Sequence, residues 1–212
     1  MRRLPIYLLL DSSASMRGEP INAVRDGLDL LVSTLRQDPY ALETAFLSVI
    51  TFDTNAQQVV PLTEITDFQP PAIEARGVTA LGSALSLAAR CIEIEVQKTS
   101  AQIKGDWKPL VFLMTDGMPT DDWEAGLAAF RAAGAGLTVC CAAGPSADTD
   151  VLSRISEVVV TLETADGATI GAFFKWVSAS ITTSSRKIDL SKDDVQGGDL
   201  PPPPAGITLD KP

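Results

Sequence analysis

The spacing of apolar and polar positions changes several times along the chain, and each change marks an element. Residues 4–10 form a continuous apolar run, as expected of a central parallel strand covered on both faces. Ile21, Val24, Leu28, Leu31, Val32 and Leu35 then recur at helical spacing and make one apolar stripe. Pro20 suits the first turn of that helix, and Pro39 stops it. Residues 45–52 read as a strand, 53–56 as a turn and 57–62 as a second strand, together an antiparallel edge hairpin in which Pro61 fits the edge. After a loop containing Pro70 and Pro71, a helix carries Leu85, Leu87, Ala88, Cys91, Ile92 and Ile94 on its apolar side.

Residues 108–115 are the next buried strand, and Asp121 and Asp122 lead a helix through Leu127, Phe130 and Ala133; acidic residues at that start suit the helix dipole. Residues 137–143 are a strand, Val151, Leu152 and Ile155 mark a short helix, 158–162 are a strand, and 170–181 a last helix. Strands alternating with helices predict an α/β domain: a doubly wound, mostly parallel central sheet flanked by helices on both faces, with one antiparallel edge strand. The pattern places the folded domain over residues 1–185. Residues 186–212 turn polar, contain Pro201 to Pro204 and have little to bury, so they are expected to form an extended or flexible tail. No internal repeat is present.

Composition narrows the function. The 212 residues are 45% hydrophobic with a formal charge of −10, which suits a globular domain with a good core. The negative charge argues against nucleic acid and against anionic lipid as partners. There is no histidine, which removes Ser-His-Asp, Cys-His and most zinc catalysis. The three cysteines, Cys91, Cys140 and Cys141, have no framework spacing and point to a reducing, cytoplasmic setting. The vicinal pair reads as core strand, with a redox switch or soft-metal site as the alternative. Arg2 and Arg3 before the first apolar run imitate a signal peptide. That run is short, contains Pro5 and ends at Asp11, so it reads as a strand.

The strand ends carry the candidate chemistry. Asp11, Ser13 and Ser15 follow the first strand as D-x-S-x-S; Thr79 precedes a helix; Asp116, followed by Gly117, ends the strand at 108–115. In an open α/β sheet such turns lie at the carboxyl ends of strands, where ligands bind. If the loops are neighbours, five oxygens meet in one crevice. Hard oxygens suit Mg²⁺ or Mn²⁺. Three of the five are neutral hydroxyls, so a bound ion keeps much of its charge and can take an acidic oxygen from elsewhere. No base stands beside the set, which favours recognition over catalysis. Helix capping by Asp and Ser, and an Asp-Gly turn, are the plain alternatives.

With residues 113–117 reading Leu-Met-Thr-Asp-Gly, the set resembles the metal-ion-dependent adhesion site of a von Willebrand factor type A domain. The resemblance covers about residues 1–185. Within that family the chain resembles bacterial tellurium-resistance proteins of the TerY type, through the stretches at 7–11, 17–20, 38–44, 105–109, 119–123 and 173–180. It implies Mg²⁺ or Mn²⁺ held by Asp11, Ser13 and Ser15, with Thr79 and Asp116 binding directly or through water and a partner's Glu or Asp completing the shell. It also implies a cytoplasmic protein in stress response; some proteins of this type accompany a protein kinase and a PP2C-type phosphatase. Ala14 and Val78 stand where the family motif often has Gly.

Two rivals follow from the residues. A haloacid-dehalogenase-type phosphatase also uses a strand-end aspartate and Mg²⁺, but needs a second carboxylate where this chain has Ser13. A metal-independent scaffold would bind through another surface, such as the run at 201–204 docked in an aromatic groove. Trp107, Trp123 and Trp176 read as packing rather than interface anchors, and Asp121, Asp122 and Glu124 as a solvated helix start rather than a second cation site.

Overall fold

The computed structural model describes residues 2–191 and 194–210. Seven strands form one sheet: β1 (Leu4–Asp11), β2 (Ala45–Phe52), β3 (Ala56–Glu64), β4 (Leu110–Thr115), β5 (Thr138–Ala143), β6 (Val158–Leu162) and β7 (Ile207–Asp210). Their order is β3-β2-β1-β4-β5-β6-β7. The five inner strands run parallel, and β3 pairs antiparallel with β2 as the expected edge. Among the described residues the α-helices are α1 (Glu19–Gln37), α2 (Pro39–Thr44), α3 (Leu81–Glu95), α4 (Trp123–Ala132), α5 (Thr149–Ile155) and α6 (Gly167–Ser191).

Alternation along β1 feeds two cores. Leu4, Ile6, Leu8 and Leu10 pack with α1 and α6 on one face, while Tyr7 and Leu9 join α3, α4 and α5 residues on the other. All eight residues of β1 are buried; each large aliphatic side chain removed from water there contributes about 2 kcal/mol. The same alternation separates the vicinal cysteines. Cys141 faces the first core and Cys140 the second, so their side chains leave the strand on opposite faces and cannot act together. All three thiols are free and buried, and burial raises the pKa of each.

The C-terminal stretch departs from the sequence expectation. The helix expected over 170–181 continues to Ser191. Its polar surplus is absorbed internally, because the buried Ser178, Ser180 and Ser184 hydroxyls donate to the carbonyls of Phe174, Trp176 and Ser180. The run at 201–204 lies against the domain, with the Trp176 indole N–H donating to the Pro201 carbonyl at 2.9 Å. It leads into β7, which pairs antiparallel with β6 over Val159–Asp210 to Leu162–Ile207 and makes a second antiparallel edge. An extended, flexible tail from 186 onwards is therefore not what residues 186–191 and 194–210 show. The short helix α2 also went unforeseen. Pro39 stops α1 as expected but opens α2, with the Asp38 carboxylate accepting from the Tyr40 and Ala41 amides.

Candidate metal centre

The sheet order sets the site. From β1 the chain passes to β2 and β3 on one side, then crosses back through α3 to β4 on the other. The order reverses at β1 and β4, and in such sheets ligands bind outside the carboxyl ends of the strands at that point. β1 ends there in Asp11, and β4 ends there in Thr115, with Asp116 directly after it.

Asp11 is fully buried. Its Oδ1 accepts from the Ser13 backbone N–H at 2.7 Å, and its Oδ2 from the Thr115 hydroxyl at 2.5 Å. The chain then turns through a short 3₁₀ segment, Ala14–Met16, which brings the Ser13 and Ser15 hydroxyls within 2.9 Å of each other in a shared hydrogen bond. The Ser15 hydroxyl donates to Asp116 Oδ1 at 2.7 Å. Asp11, Ser13, Ser15 and Asp116 are thus linked in one chain of hydrogen bonds, the last of which spans 101 residues of sequence.

Thr79 joins through the neighbouring loop. Its carbonyl accepts from the Thr120 N–H at 2.9 Å, and a Cβ placed on Gly117 would lie 3.2 Å from its hydroxyl. The approach depends on glycine beneath it. A Cβ on Gly82 would meet the Asp122 carbonyl at 2.4 Å and one on Gly126 the Gly82 carbonyl at 2.3 Å, so only glycine lets α3 and α4 close here. Asp121 fixes the joint, accepting from the Gly82 and Ser83 amides at 2.9 and 2.8 Å. A third seam holds the serine loop: Arg76 N–H donates to the Ser12 carbonyl and Ala14 N–H to the Gly77 carbonyl. Four of the sequence candidates, Asp11, Ser13, Ser15 and Asp116, are thus linked by hydrogen bonds, and the Thr79 loop lies beside them. The Val78 side chain stands out in solvent, 49% exposed.

The electrostatics are those of carboxylates without a counter-charge. Asp11 and Asp116 are buried, at 0% and 8% exposure, and their hydrogen-bond partners are hydroxyls and backbone amides rather than Lys or Arg. Burial pushes the Asp11 carboxyl up to about 6; the hydrogen bonds from Thr115 and Ser13 pull the other way, and the Asp116 charge adds to the rise. Burial also raises Asp116, against the Ser15 hydrogen bond. A buried ionised carboxylate lacking a cation is costly, and a divalent ion is the local charge that reverses that logic. Among the described residues no three His, Cys, Asp or Glu side chains gather to hold a metal, so hydroxyls must supply the rest of any shell. That mixture suits a hard ion.

Two residues matter here beyond the five. Thr115 orients Asp11, and Asp121 orients the Thr79 loop. The other acidic residues at that helix start have their own partners: Asp122 caps α4 through the Ala125 amide, and Glu124 pairs with Arg154 at 2.6 Å. Trp107 and Trp176 are buried; Trp123 is half-buried, with the Arg154 guanidinium 4.6 Å from its ring centre.

A mostly parallel sheet with hydroxyls and two carboxylates gathered at its switch point defines a class of domain. The von Willebrand factor type A domain model matches residues 6–170, and the chain belongs to that family, whose members commonly use a metal-ion-dependent adhesion site for protein–protein interaction. Solved structures share the fold. A von Willebrand factor type A protein from Catenulispora acidiphila is 20% identical, with a TM-score of 0.65, over 86% of this chain and 43% of that one. Proximal thread matrix protein 1 from the mussel byssus, with a zinc-occupied site of this kind, is 18% identical with a TM-score of 0.57, over 84% and 48%. The pilus adhesin SpaC from Lactobacillus rhamnosus GG is 15% identical with a TM-score of 0.67, over 86% and 31%. The chain spans less than half the length of each. A search of curated proteins found no match. Among the described residues no helix is long and apolar enough to cross a membrane.

Proposed function

We propose that this chain is a non-enzymatic, metal-dependent protein-binding domain. Asp11, Ser13, Ser15, Thr79 and Asp116 hold a divalent cation, Mg²⁺ or Mn²⁺, and a partner protein's Glu or Asp completes the shell. One observation carries the reading: two buried carboxylates joined through serine hydroxyls, with no cationic side chain in their hydrogen-bond network. A shell with only two negative charges leaves a divalent ion able to attract an outside carboxylate. The zinc-bearing site of the mussel byssus protein supports a divalent ion in this position of the fold.

A haloacid-dehalogenase-type phosphatase is disfavoured by Ser13, whose hydroxyl cannot serve as the general acid that mechanism needs. The biological setting follows from the resemblance to TerY-type tellurium-resistance proteins: a cytoplasmic bacterial protein in stress response, working beside a protein kinase and a PP2C-type phosphatase.

The test is capture of bound proteins from cell extract by wild type, Asp11→Ala and Asp116→Ala, each with Mg²⁺ and with chelator. The expected result is a set of proteins retained by wild type only with metal and lost in both variants. Equal capture by all three would refute the adhesion mechanism.

A further inference from the structure

We propose that the chain carries a second binding site, at the opposite pole of the sheet from the metal centre, and that it takes an amino-acid unit with an apolar side chain and a free carboxylate. The site is independent of the metal-dependent adhesion proposed above. A cavity of about 270 Å³ is walled by Arg2, Tyr40, Glu43, Lys104, Trp107 and Ile188. Arg2 lies two residues before β1. Thr44, which also lines the cavity, directly precedes β2. Trp107 lies ahead of β4, and its backbone N–H donates to the Arg3 carbonyl at 2.9 Å. The cavity therefore sits at the amino ends of three parallel strands, whereas Asp11 and Asp116 lie at the carboxyl ends. At about 3.3 Å per residue, the eight residues of β1 hold the two places roughly 25 Å apart.

The wall is apolar in body and cationic in charge. Ile188 and Trp107 are buried, at 1% and 6% exposure. The Arg2 guanidinium lies 3.5 Å from the centre of the Trp107 ring, and that of Arg186 lies 5.7 Å from the Tyr40 ring centre. Arg2 is held by neutral acceptors: its Nε donates to the Gly105 carbonyl at 2.7 Å and its Nη2 to the Asp106 carbonyl at 3.2 Å. The nearby carboxylates are spent on other cations, Asp106 on Arg3 and Asp38 on Arg186. Among the described residues neither Arg2 nor Lys104 pairs with a carboxylate. A guanidinium fixed against an indole, with donors left over, is prepared for an anion.

Charge and size define that anion. Asp189, also on the wall, is already engaged. Glu43 has no ion-pair partner among the described residues. Two uncompensated cations against one such acid leave a place for one carboxylate, and Glu43 can accept an N–H. The volume falls just below the range of about 300 Å³ upward typical of drug-sized sites, which suits a single residue. Its carboxylate meets Arg2 and Lys104, its nitrogen Glu43, and its side chain Trp107, Tyr40 and Ile188, where apolar surface leaves water. A free amino acid and the last residue of a peptide share this chemistry.

The test is isothermal titration of the full chain in chelator, which leaves the metal centre out of the measurement. The probes are phenylalanine, phenylalaninamide, serine and the peptide tetraglycyl-phenylalanine. Phenylalanine or the peptide should bind about tenfold more tightly than phenylalaninamide, the value of a charge-assisted hydrogen bond, and about tenfold more tightly than serine. Tighter binding of the peptide assigns the site to chain ends, and tighter binding of phenylalanine to the free amino acid. Arg2→Gln should weaken the better probe about tenfold. Lys104→Gln, at an exposed position, should weaken it about threefold with the urea midpoint unmoved. Binding of neither phenylalanine nor the peptide overturns the inference. So does equal affinity for phenylalanine and its amide, or for phenylalanine and serine. Wild-type affinity in Lys104→Gln and Arg2→Gln together does the same, and none of these results bears on the metal centre.

Discussion

Replacing Asp11 with Asn should stabilise the metal-free chain and abolish its response to metal. Asn keeps the shape of the site: its carbonyl oxygen can accept from the Ser13 amide, and its amide can donate to the Thr115 hydroxyl that now donates to Asp11. What disappears is a buried charge. Burial pushes the Asp11 carboxyl of the folded chain up to about 6, against 3.8 for an ordinary aspartate. Between those values the folded state binds a proton that the unfolded state has released, so stability falls as pH rises through the window and stays low above it. At 1.36 kcal/mol per pH unit, the penalty is about 3 kcal/mol at neutral pH and about 1 kcal/mol near pH 4.5. Urea unfolding in chelator at the two pH values is the assay. Asp11→Asn should exceed wild type by 1–3 kcal/mol, as a rough range, at pH 7.5, with a smaller gap at pH 4.5. Saturating Mg²⁺ should then raise wild type and leave the variant unmoved. A variant no more stable than wild type at pH 7.5 in chelator would refute the claim that Asp11 is a strained, cation-seeking carboxylate.

Three further outcomes are expected. Thr115→Val removes the hydroxyl that orients Asp11 and should weaken Mn²⁺ binding by about 10- to 100-fold with the fold retained, measured by isothermal titration. Gly117→Ala sets a methyl 3.2 Å from the Thr79 hydroxyl, so Mn²⁺ affinity should fall while the urea midpoint shifts little. Truncation after Gln196 removes β7 and the contact between Trp176 and Pro201, leaves the β6 edge open, and should lower the thermal midpoint and promote association seen by light scattering.

Most of the fold was legible because it is written in local periodicity. The apolar run of β1, the stripe of α1 and the hairpin of β2 with β3 are each contained in one continuous stretch, the longest being Ala45–Glu64. Elements stabilised by remote partners did not. The four residues of β7 follow a proline run that resembles a solvated linker, and only pairing with β6 makes them a strand. α2 was hidden because one proline both ends a helix and begins the next, with Asp38 as the shared joint. At the site, the five candidate donors are visible because family spacing and strand-end chemistry coincide. Thr115 was invisible as a positioning residue because its bond to Asp11 spans 104 residues and exists only because β4 lies beside β1. Asp121 looked like a helix start exposed to water, since its actual task is to grip amides of another helix.

On the proposed function, three loops distant in sequence form one cation-binding cup. A crystal of the protein grown with Mn²⁺, and an anomalous difference map recorded from it, tests that claim most directly. The expected result is a single strong peak bordered by the oxygens of Asp11, Ser13, Ser15, Thr79 and Asp116. A well-ordered site with no peak there, or Mn²⁺ bound only elsewhere on the surface, would contradict it.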